Sequence, residues 1–189
     1  MENQPLKSII EAALFSYGEP LSLGRLLQLF DEVDAVNSSQ LRQVLTELKN
    51  DYQTRGVELV EVASGFRFQT RADFSPWIQK LANERPPRYS RSLLETLALI
   101  AYRQPITRAE IEAVRGVAVN TPTIKTLLER QWVQIVGHRE VPGKPAVYAT
   151  TKQFLDYFNL SSLSDLGELA NIETALENIS IANQELQEV

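Results

Sequence analysis

Cysteine is absent from the 189-residue chain, and histidine occurs once, as His138. These absences exclude a disulfide framework, a thiolate nucleophile and zinc sites built from cysteines or from several histidines. No apolar run approaches the roughly 18 residues that a membrane span needs, and the start of the chain lacks the basic and apolar regions of a signal peptide. We therefore expect a cytoplasmic protein with no membrane contact, no metal and no other cofactor.

Catalytic motifs are equally scarce. His138 stands in a predicted strand between Gly137 and Arg139, with neither a serine elbow nor an aspartate at a spacing that suggests a triad. The chain has no glycine-rich phosphate loop and no acidic cluster at metal-binding spacing. We predict no catalytic residues and no enzymatic activity.

Charge is distributed unevenly along the chain. The net charge is −5 overall, but it is −3 over residues 1–80, +5 over residues 86–152 and −7 over residues 153–189. The last of these blocks has no basic residue. A basic middle between two acidic flanks predicts separate structural units.

Hydrophobic periodicity predicts the same series of elements twice. Three helices are followed by a hairpin over residues 57–71 and a short helix. After Pro86-Pro87, which excludes a helix, two helices lead to a third over residues 120–131 and to a hairpin over residues 133–150. Three helices followed by a hairpin are typical of a winged helix-turn-helix domain, in which the third helix usually reads DNA.

The two halves also match residue by residue. At offsets of 85 and 80, the matches pair Tyr17 with Tyr102, Pro20 with Pro105, Leu21 with Ile106, Phe74 with Phe154 and Trp77 with Tyr157. Self-similarity of this kind indicates a repeated unit. We predict a mainly α fold with small β-hairpin wings, as two tandem winged-helix domains at residues 1–81 and 91–159. Residues 82–90 form the linker between them.

The predicted tail, residues 160–189, is acidic and amphipathic. Leucine and isoleucine recur in it at spacings of three or four, at Leu160, Leu163, Leu166, Leu169, Ile172, Leu176 and Ile179. This pattern is typical of an amphipathic helix or of a segment that becomes helical on docking. A frayed, flexible terminus is the alternative.

The predicted third helices carry little net charge. Residues 39–52 hold two basic and two acidic side chains, and residues 120–131 hold two basic and one acidic. Attraction to phosphates needs a net positive face. We expect weak or indirect DNA contact, with a winged-helix transcription regulator as the alternative function.

Two features of the second half indicate a partner surface. Residues 102–105 form the corner between its first two helices and include a tyrosine and an arginine, which are enriched in protein interfaces; a core role for Tyr102 is the alternative. The wing tip, residues 142–145, places two prolines around a glycine and a lysine. Such a stiff loop loses less entropy on binding, although a tight turn alone would also explain it.

Several segments of the second half resemble segregation and condensation protein B. They are the stretch from Leu93 to Glu112, Arg115-Gly116-Val117, Thr126-Leu127-Leu128-Glu129-Arg130 and Val141-Pro142-Gly143-Lys144-Pro145. In the first half the resemblance rests on element order and on Gly18-Glu19-Pro20-Leu21-Ser22. The chain departs from the family pattern at residues 118–122, where the family has a small polar turn, and at Gln131, where it often has glycine.

The resemblance implies a non-catalytic subunit that acts in chromosome condensation and segregation at the nucleoid. It implies a homodimer formed largely through the first domain. The implied partner is the kleisin, segregation and condensation protein A, which joins a structural-maintenance-of-chromosomes ATPase. We expect the second domain to bind the kleisin through Tyr102, Arg103, Gln104, Pro105, Arg108, Arg115, Arg139, Pro142, Gly143, Lys144 and Pro145.

The apolar content of the first half also predicts a homodimer. Its helices carry more large apolar residues than a small three-helix domain needs for its core. The residues concerned are Leu6, Ile9, Ile10, Phe15, Leu26 and Phe30.

Overall fold

A computed structural model describes residues 3–31, 34–82 and 88–167, which form two compact units. Unit 1 comprises the described residues up to 82 together with residues 159–161. Unit 2 comprises residues 88–158 together with residues 162–167. Most of the predicted linker and the tail beyond Gly167 lie outside the described residues.

Unit 1 begins with three helices, α1 (Asn3–Tyr17), α2 (Leu23–Leu27) and α3 (Ser38–Asp51). The Ser22 side chain accepts a hydrogen bond from the Arg25 amide and so caps α2. Asn37 and Gln40 form a reciprocal capping box that starts α3. These local bonds satisfy backbone donors that the first turn of a helix leaves unpaired.

A two-stranded antiparallel sheet follows, formed by β1 (Val57–Val62) and β2 (Gly65–Thr70). Leu21, in the α1–α2 corner, adds a bridge to β2, with both backbone hydrogen bonds to Phe66 at 2.9 Å. A short 3₁₀ turn (Ala72–Phe74) then leads into α4 (Ser75–Ala82). The core of unit 1 consists of buried residues from the three helices, the segments next to them and β1: Leu6, Ile10, Leu14, Leu21, Leu26, Leu41, Val44, Leu45, Leu48, Tyr52 and Leu59.

Unit 2 repeats this order with α5 (Arg91–Arg103), α6 (Arg108–Arg115) and α7 (Thr121–Glu129). Thr107 and Glu110, three residues apart, form a reciprocal capping box at the start of α6. Gly116 ends that helix in the left-handed conformation, with φ of 69°. Pro122 lies in the first turn of α7, where a missing amide hydrogen costs nothing.

The sheet of unit 2 has three strands in the order β3 (Ile106–Thr107), β5 (Ala146–Thr150), β4 (Val133–His138). Helix α8 (Lys152–Tyr157) and a 3₁₀ turn (Leu163–Leu166) follow β5. Buried apolar residues hold the helices and the sheet together: Leu93, Leu97, Ile100, Ile111, Leu127, Trp132, Val147 and Phe154. The predicted fold class is confirmed, because each unit has three helices followed by a β-hairpin wing.

Candidate partner-binding surfaces

Helix α4 and the turn before it carry an apolar stripe that faces solvent. Phe74, Trp77, Ile78 and Leu81 are 42%, 64%, 47% and 83% exposed. They occupy positions i, i+3, i+4 and i+7, so they share one helix face, which we call the α4 ridge. The rings of Phe74 and Trp77 lie 6.4 Å apart.

The α4 ridge has the properties of an unsatisfied interface. An isolated helix of eight residues is marginal in water, and most helical stability in proteins comes from packing of the apolar face. Large contiguous apolar patches on soluble proteins mark interaction sites. The ridge is therefore the strongest candidate contact surface of unit 1.

Only some of the apolar residues that were predicted to exceed the needs of the core of unit 1 lie at its surface. The prediction is wrong for Leu6, Ile10 and Leu26, which are fully buried in the core. Ile9 and Phe15 are exposed as predicted, but the Phe15 ring stacks on Phe68 with centroids 4.1 Å apart. The residues of the α4 ridge have helical spacing in the sequence, but spacing does not tell an exposed face from a buried one.

In the predicted corner of unit 2, Tyr102 and Gln104 are held by hydrogen bonds, whereas Arg103 is an exposed charge. The half-buried Tyr102 hydroxyl donates to the Leu166 carbonyl at 2.8 Å, and burial raises the pKa of this tyrosine. The Gln104 side-chain oxygen accepts from the Thr150 amide at 2.7 Å, which ties the corner to β5. Arg103 is exposed, and no carboxylate in the described ranges pairs with it.

The base of the wing contacts the same corner. The Arg139 guanidinium lies 3.3 Å from the Glu110 carboxylate and 3.5 Å from the carbonyl of the exposed Pro105. The Thr107 amide donates to Glu110 and lowers the pKa of that carboxyl, and Arg139 adds to the effect. The corner and the wing base thus form one continuous polar surface.

The wing tip is a tight turn that projects into solvent. The Lys144 amide donates to the Val141 carbonyl at 2.9 Å, and Gly143 and Lys144 have positive φ values of 85° and 37°. Pro142, Gly143 and Lys144 are exposed, whereas Pro145 is half-buried. The tip offers one cation, Lys144, on a stiff loop.

The two remaining predicted arginines are both paired. Arg108 lies 3.0 Å from Glu112 and also donates to the Thr121 hydroxyl at 3.2 Å. The Arg115 side chain is only 8% exposed and donates to Glu95 at 2.9 Å and to the Ser92 hydroxyl. Arg115 therefore joins α6 to α5 within unit 2 and presents little surface to a partner.

The third helices present no basic run. On α7, Lys125 lies 3.5 Å from Glu129. Arg130, at the end of α7, stacks over the rings of Tyr89 and Trp132 at 4.8 and 5.3 Å. On α3, Arg42 and Lys49 are exposed but stand two turns apart. This charge pattern argues against tight DNA binding by either helix.

In the described part of the chain, no group of three His, Cys, Asp or Glu side chains could hold a metal ion. His138 is exposed on β4. None of the helices in these ranges is long and apolar enough to cross a membrane.

The family described as Segregation and condensation complex subunit ScpB matches residues 8–169. The chain belongs to the ScpB family. The resemblance predicted from the sequence is thereby confirmed. Members of this family are subunits of a segregation and condensation complex.

Close relatives extend over most of the chain. Segregation and condensation protein B homolog of Coxiella burnetii is 61% identical over 166 residues, 88% of this chain and 79% of its own length. Segregation and condensation protein B of Syntrophotalea carbinolica is 44% identical over 171 residues, 89% of this chain and 84% of its own length. A crystal structure of an ScpB N-terminal domain dimer complexed with ScpA peptide is 32% identical, covering 41% of this chain and 95% of that chain, with a TM-score of 0.37.

One departure from the ScpB family pattern has a structural consequence. Gln131 adopts φ of 56°, in the left-handed region that glycine tolerates best. Its carbonyl accepts a hydrogen bond from Thr151, and the following Trp132 is buried. The glycine expected here would fit the backbone, and this chain accommodates glutamine instead.

Proposed function

We propose that this chain is a non-catalytic subunit of a condensin-like complex for chromosome condensation and segregation. It works as a homodimer in the cytoplasm, at the nucleoid. It binds the kleisin subunit and through it regulates a structural-maintenance-of-chromosomes ATPase. Membership of the ScpB family supports this role, and the α4 ridge is the structural observation that supports it most strongly.

The homodimer forms through the α4 ridge. A two-fold interface uses the same patch on both subunits, so each buried ridge residue contributes twice. Full burial of a large apolar side chain is worth about 1.5–3 kcal/mol relative to exposure. Trp77 and Leu81, the most exposed members of the ridge, gain the most. This proposal extends to the present chain the dimer described for the related N-terminal domain.

A charge placed in the ridge tests the dimer. Trp77→Asp should abolish self-association, because an unpaired carboxylate in an apolar interface is strongly unfavourable. Light scattering should then fall from about twice 21.3 kDa to 21.3 kDa. Val117→Asp is the matched control, since Val117 is an exposed apolar residue of unit 2. A dimer that survives Trp77→Asp would place the interface elsewhere.

The kleisin binds the surface of unit 2 formed by the corner and the wing. Arg103 and Lys144 supply exposed cations, the corner and the wing base are joined through Arg139, and residues 86–152 are net positive. Tyrosine and arginine anchors often dominate interface energetics. Because the charges are few and scattered, DNA contact by this chain is weak or indirect.

Arg103→Ala tests the kleisin surface most cleanly, because Tyr102 and Gln104 also brace unit 2. Calorimetry should show kleisin affinity reduced by about 1–2 kcal/mol, or roughly tenfold. Lys125→Ala, which removes an exposed cation elsewhere on unit 2, should leave the affinity unchanged. Unchanged affinity for Arg103→Ala, with loss on substitution in unit 1, would move the kleisin site to unit 1.

A further inference from the structure

Unit 1 has an open groove between α3 and β1, with a volume of about 370 Å³. Arg42, Leu45 and Lys49 line it from α3, Leu59 and Glu61 from β1, and Phe66 from β2. The three α3 residues occupy positions i, i+3 and i+7, so they share one helix face. Leu45 and Leu59 are buried, and Phe66 is half-buried. The α3–β1 groove therefore has an apolar floor between polar walls.

The two cations of this groove are exposed and unpaired. In the described ranges, no carboxylate pairs with Arg42 or Lys49. Their main-chain positions stand about 10 Å apart along α3, because they are two turns apart. Glu61 is the one acidic residue of the lining, so two cations against one carboxylate leave the groove net positive. Residues 1–80 as a whole are net −3. The groove is thus a positive spot on an acidic unit, and it attracts an acidic ligand.

The main chain of Glu61 is free to bond to such a ligand. Leu21 exchanges both of its backbone hydrogen bonds with Phe66, so the amide and carbonyl of Phe66 point away from β1. Phe66 lies opposite Glu61 in the antiparallel register. Opposed residues of such a pair either bond to each other or both point outward. The Glu61 amide and carbonyl therefore point out of the free edge of β1, and no described residue bonds to them.

The other edge of the same hairpin shows how outward groups of this kind are used. There, Leu21 adds one bridge to Phe66 through two hydrogen bonds of 2.9 Å. An unpaired strand edge is likewise a template for a further segment. We propose that the α3–β1 groove binds an extended acidic peptide that bridges the Glu61 main chain as Leu21 bridges Phe66.

The side chains of such a peptide alternate between the groove and solvent. One apolar side chain lies on the floor formed by Leu45 and Leu59. Carboxylates two residues before and after it are about 13 Å apart, within reach of the long side chains of Arg42 and Lys49. Glu61 contributes its main chain, whereas its carboxylate opposes the charge of the ligand. We favour a peptide over a DNA strand because the apolar floor and the free main chain offer nothing to a phosphate backbone.

Titration of the full chain with the synthetic peptide acetyl-Thr-Glu-Thr-Leu-Thr-Glu-Thr-amide tests this proposal. The amide signals of Thr46 and Glu61 should shift and saturate at roughly millimolar peptide. Arg42→Gln and Lys49→Gln should each weaken binding about threefold, as loss of an exposed ion pair does. Lys80→Gln, which removes an exposed cation of unit 1 outside the groove, should leave the affinity unchanged. Glu61→Gln should strengthen binding about twofold, because it removes the opposing carboxylate and keeps the main chain.

Altered peptides separate the charge from the added strand. Glutamine in place of both glutamates should weaken binding about tenfold, since two ion pairs are lost. N-methylation of the leucine and both glutamates should also weaken it about tenfold, because one of these amides donates to the Glu61 carbonyl. N-methylation of the two inner threonines is the matched control, since their amides point away from β1.

Four results would overturn the proposal. Two are the absence of saturable shifts in the groove and shifts confined to another surface. The third is an equal effect of the two N-methylation patterns, which would exclude an added strand. The fourth is a DNA duplex that shifts the same amides at lower concentration than the peptide, which would assign the groove to nucleic acid. These measurements need neither the kleisin nor the α4 ridge, so their failure is distinguishable from failure of the proposed function.

Discussion

The helix that follows the wing packs in unit 2 and is exposed in unit 1. In the repeat, Phe74 and Trp77 match Phe154 and Tyr157. Phe154 is 3% exposed, whereas Phe74 lies in the exposed α4 ridge. The same sequence position therefore serves the core of one copy and the surface of the other.

Aromatic neighbours account for the difference. In unit 2, the ring centroid of the buried Trp132 lies 4.6 Å from that of Tyr157 and 5.2 Å from that of Phe158. The ring centroids of Phe154 and Phe158 are 5.0 Å apart. In unit 1, Tyr52 and Phe68 instead pack with Phe15 on α1. Among the described residues, the rings of Phe74 and Trp77 pair only with each other, which explains why the apolar stripe of α4 remains exposed.

The largest expected difference in stability is between alanine substitutions at the two hairpin turns, Gly65→Ala and Gly143→Ala. A Cβ on Gly65 would lie 2.2 Å from the Leu21 carbonyl oxygen, and φ is 137° there, whereas a Cβ on Gly143 would meet nothing within 4 Å. Gly65→Ala should therefore cost unit 1 about 3 kcal/mol, because the Leu21–Phe66 bridge must open. Gly143→Ala should cost unit 2 only about 1 kcal/mol from its positive φ. Hydrogen exchange resolved by unit measures both, and equal costs would contradict this account.

The next effect concerns the polar link between α5 and α6. Arg115 and Arg91 both pair with Glu95 at 2.9 Å, but their side chains are 8% and 70% exposed. Arg115→Ala should destabilise unit 2 by about 2–3 kcal/mol, because it leaves buried polar groups unpaired. Arg91→Ala should cost at most about 0.5 kcal/mol, as exposed ion pairs do. Denaturant unfolding in a Trp77→Phe background, where Trp132 is the one fluorescent tryptophan, compares the two. A cost for Arg91→Ala as large as that for Arg115→Ala would refute the burial argument.

The smallest expected effect is on the stability of unit 2 at acidic pH. The Val119 amide donates to Glu112 at 2.9 Å and lowers the pKa of that carboxyl below its ordinary value of 4.5, with help from Arg108. A lowered folded-state pKa stabilises the fold above the ordinary value, and this contribution is lost as the pH falls through the folded-state pKa. Glu112→Gln should therefore lose less stability than the parent chain between pH 7 and about pH 3. Identical losses in the two chains, measured by denaturant unfolding at each pH, would rule out this linkage.

Most of the fold could be predicted from local patterns in the sequence. The Thr107–Glu110 capping box, the stop at Gly116 and the alternation over residues 57–71 were all readable, because each depends on neighbours in sequence. Strand β3 was not predicted, since two residues are too short to show a period. The third strand forms only because β5 lies alongside Ile106.

The candidate surfaces were less predictable than the fold. Arg115 and Arg103 look alike in sequence, and only the packing of α6 on α5 separates a buried ion pair from an exposed cation. The α4 ridge and the buried face of α5 likewise share helical spacing. Spacing identifies the face of a helix, but the presence of a covering element is a long-range property.

We propose that the two units divide the work, with unit 1 forming the dimer and unit 2 holding the kleisin. Light scattering of the parent chain, Trp77→Asp and Arg103→Ala, each alone and with the kleisin, tests it most directly. We predict that Trp77→Asp is a monomer of 21.3 kDa that still gains the mass of a kleisin. Arg103→Ala should remain a dimer of about twice that mass and gain less kleisin at matched concentration. A dimeric Trp77→Asp chain, or loss of dimerisation on Arg103→Ala, would contradict the claim.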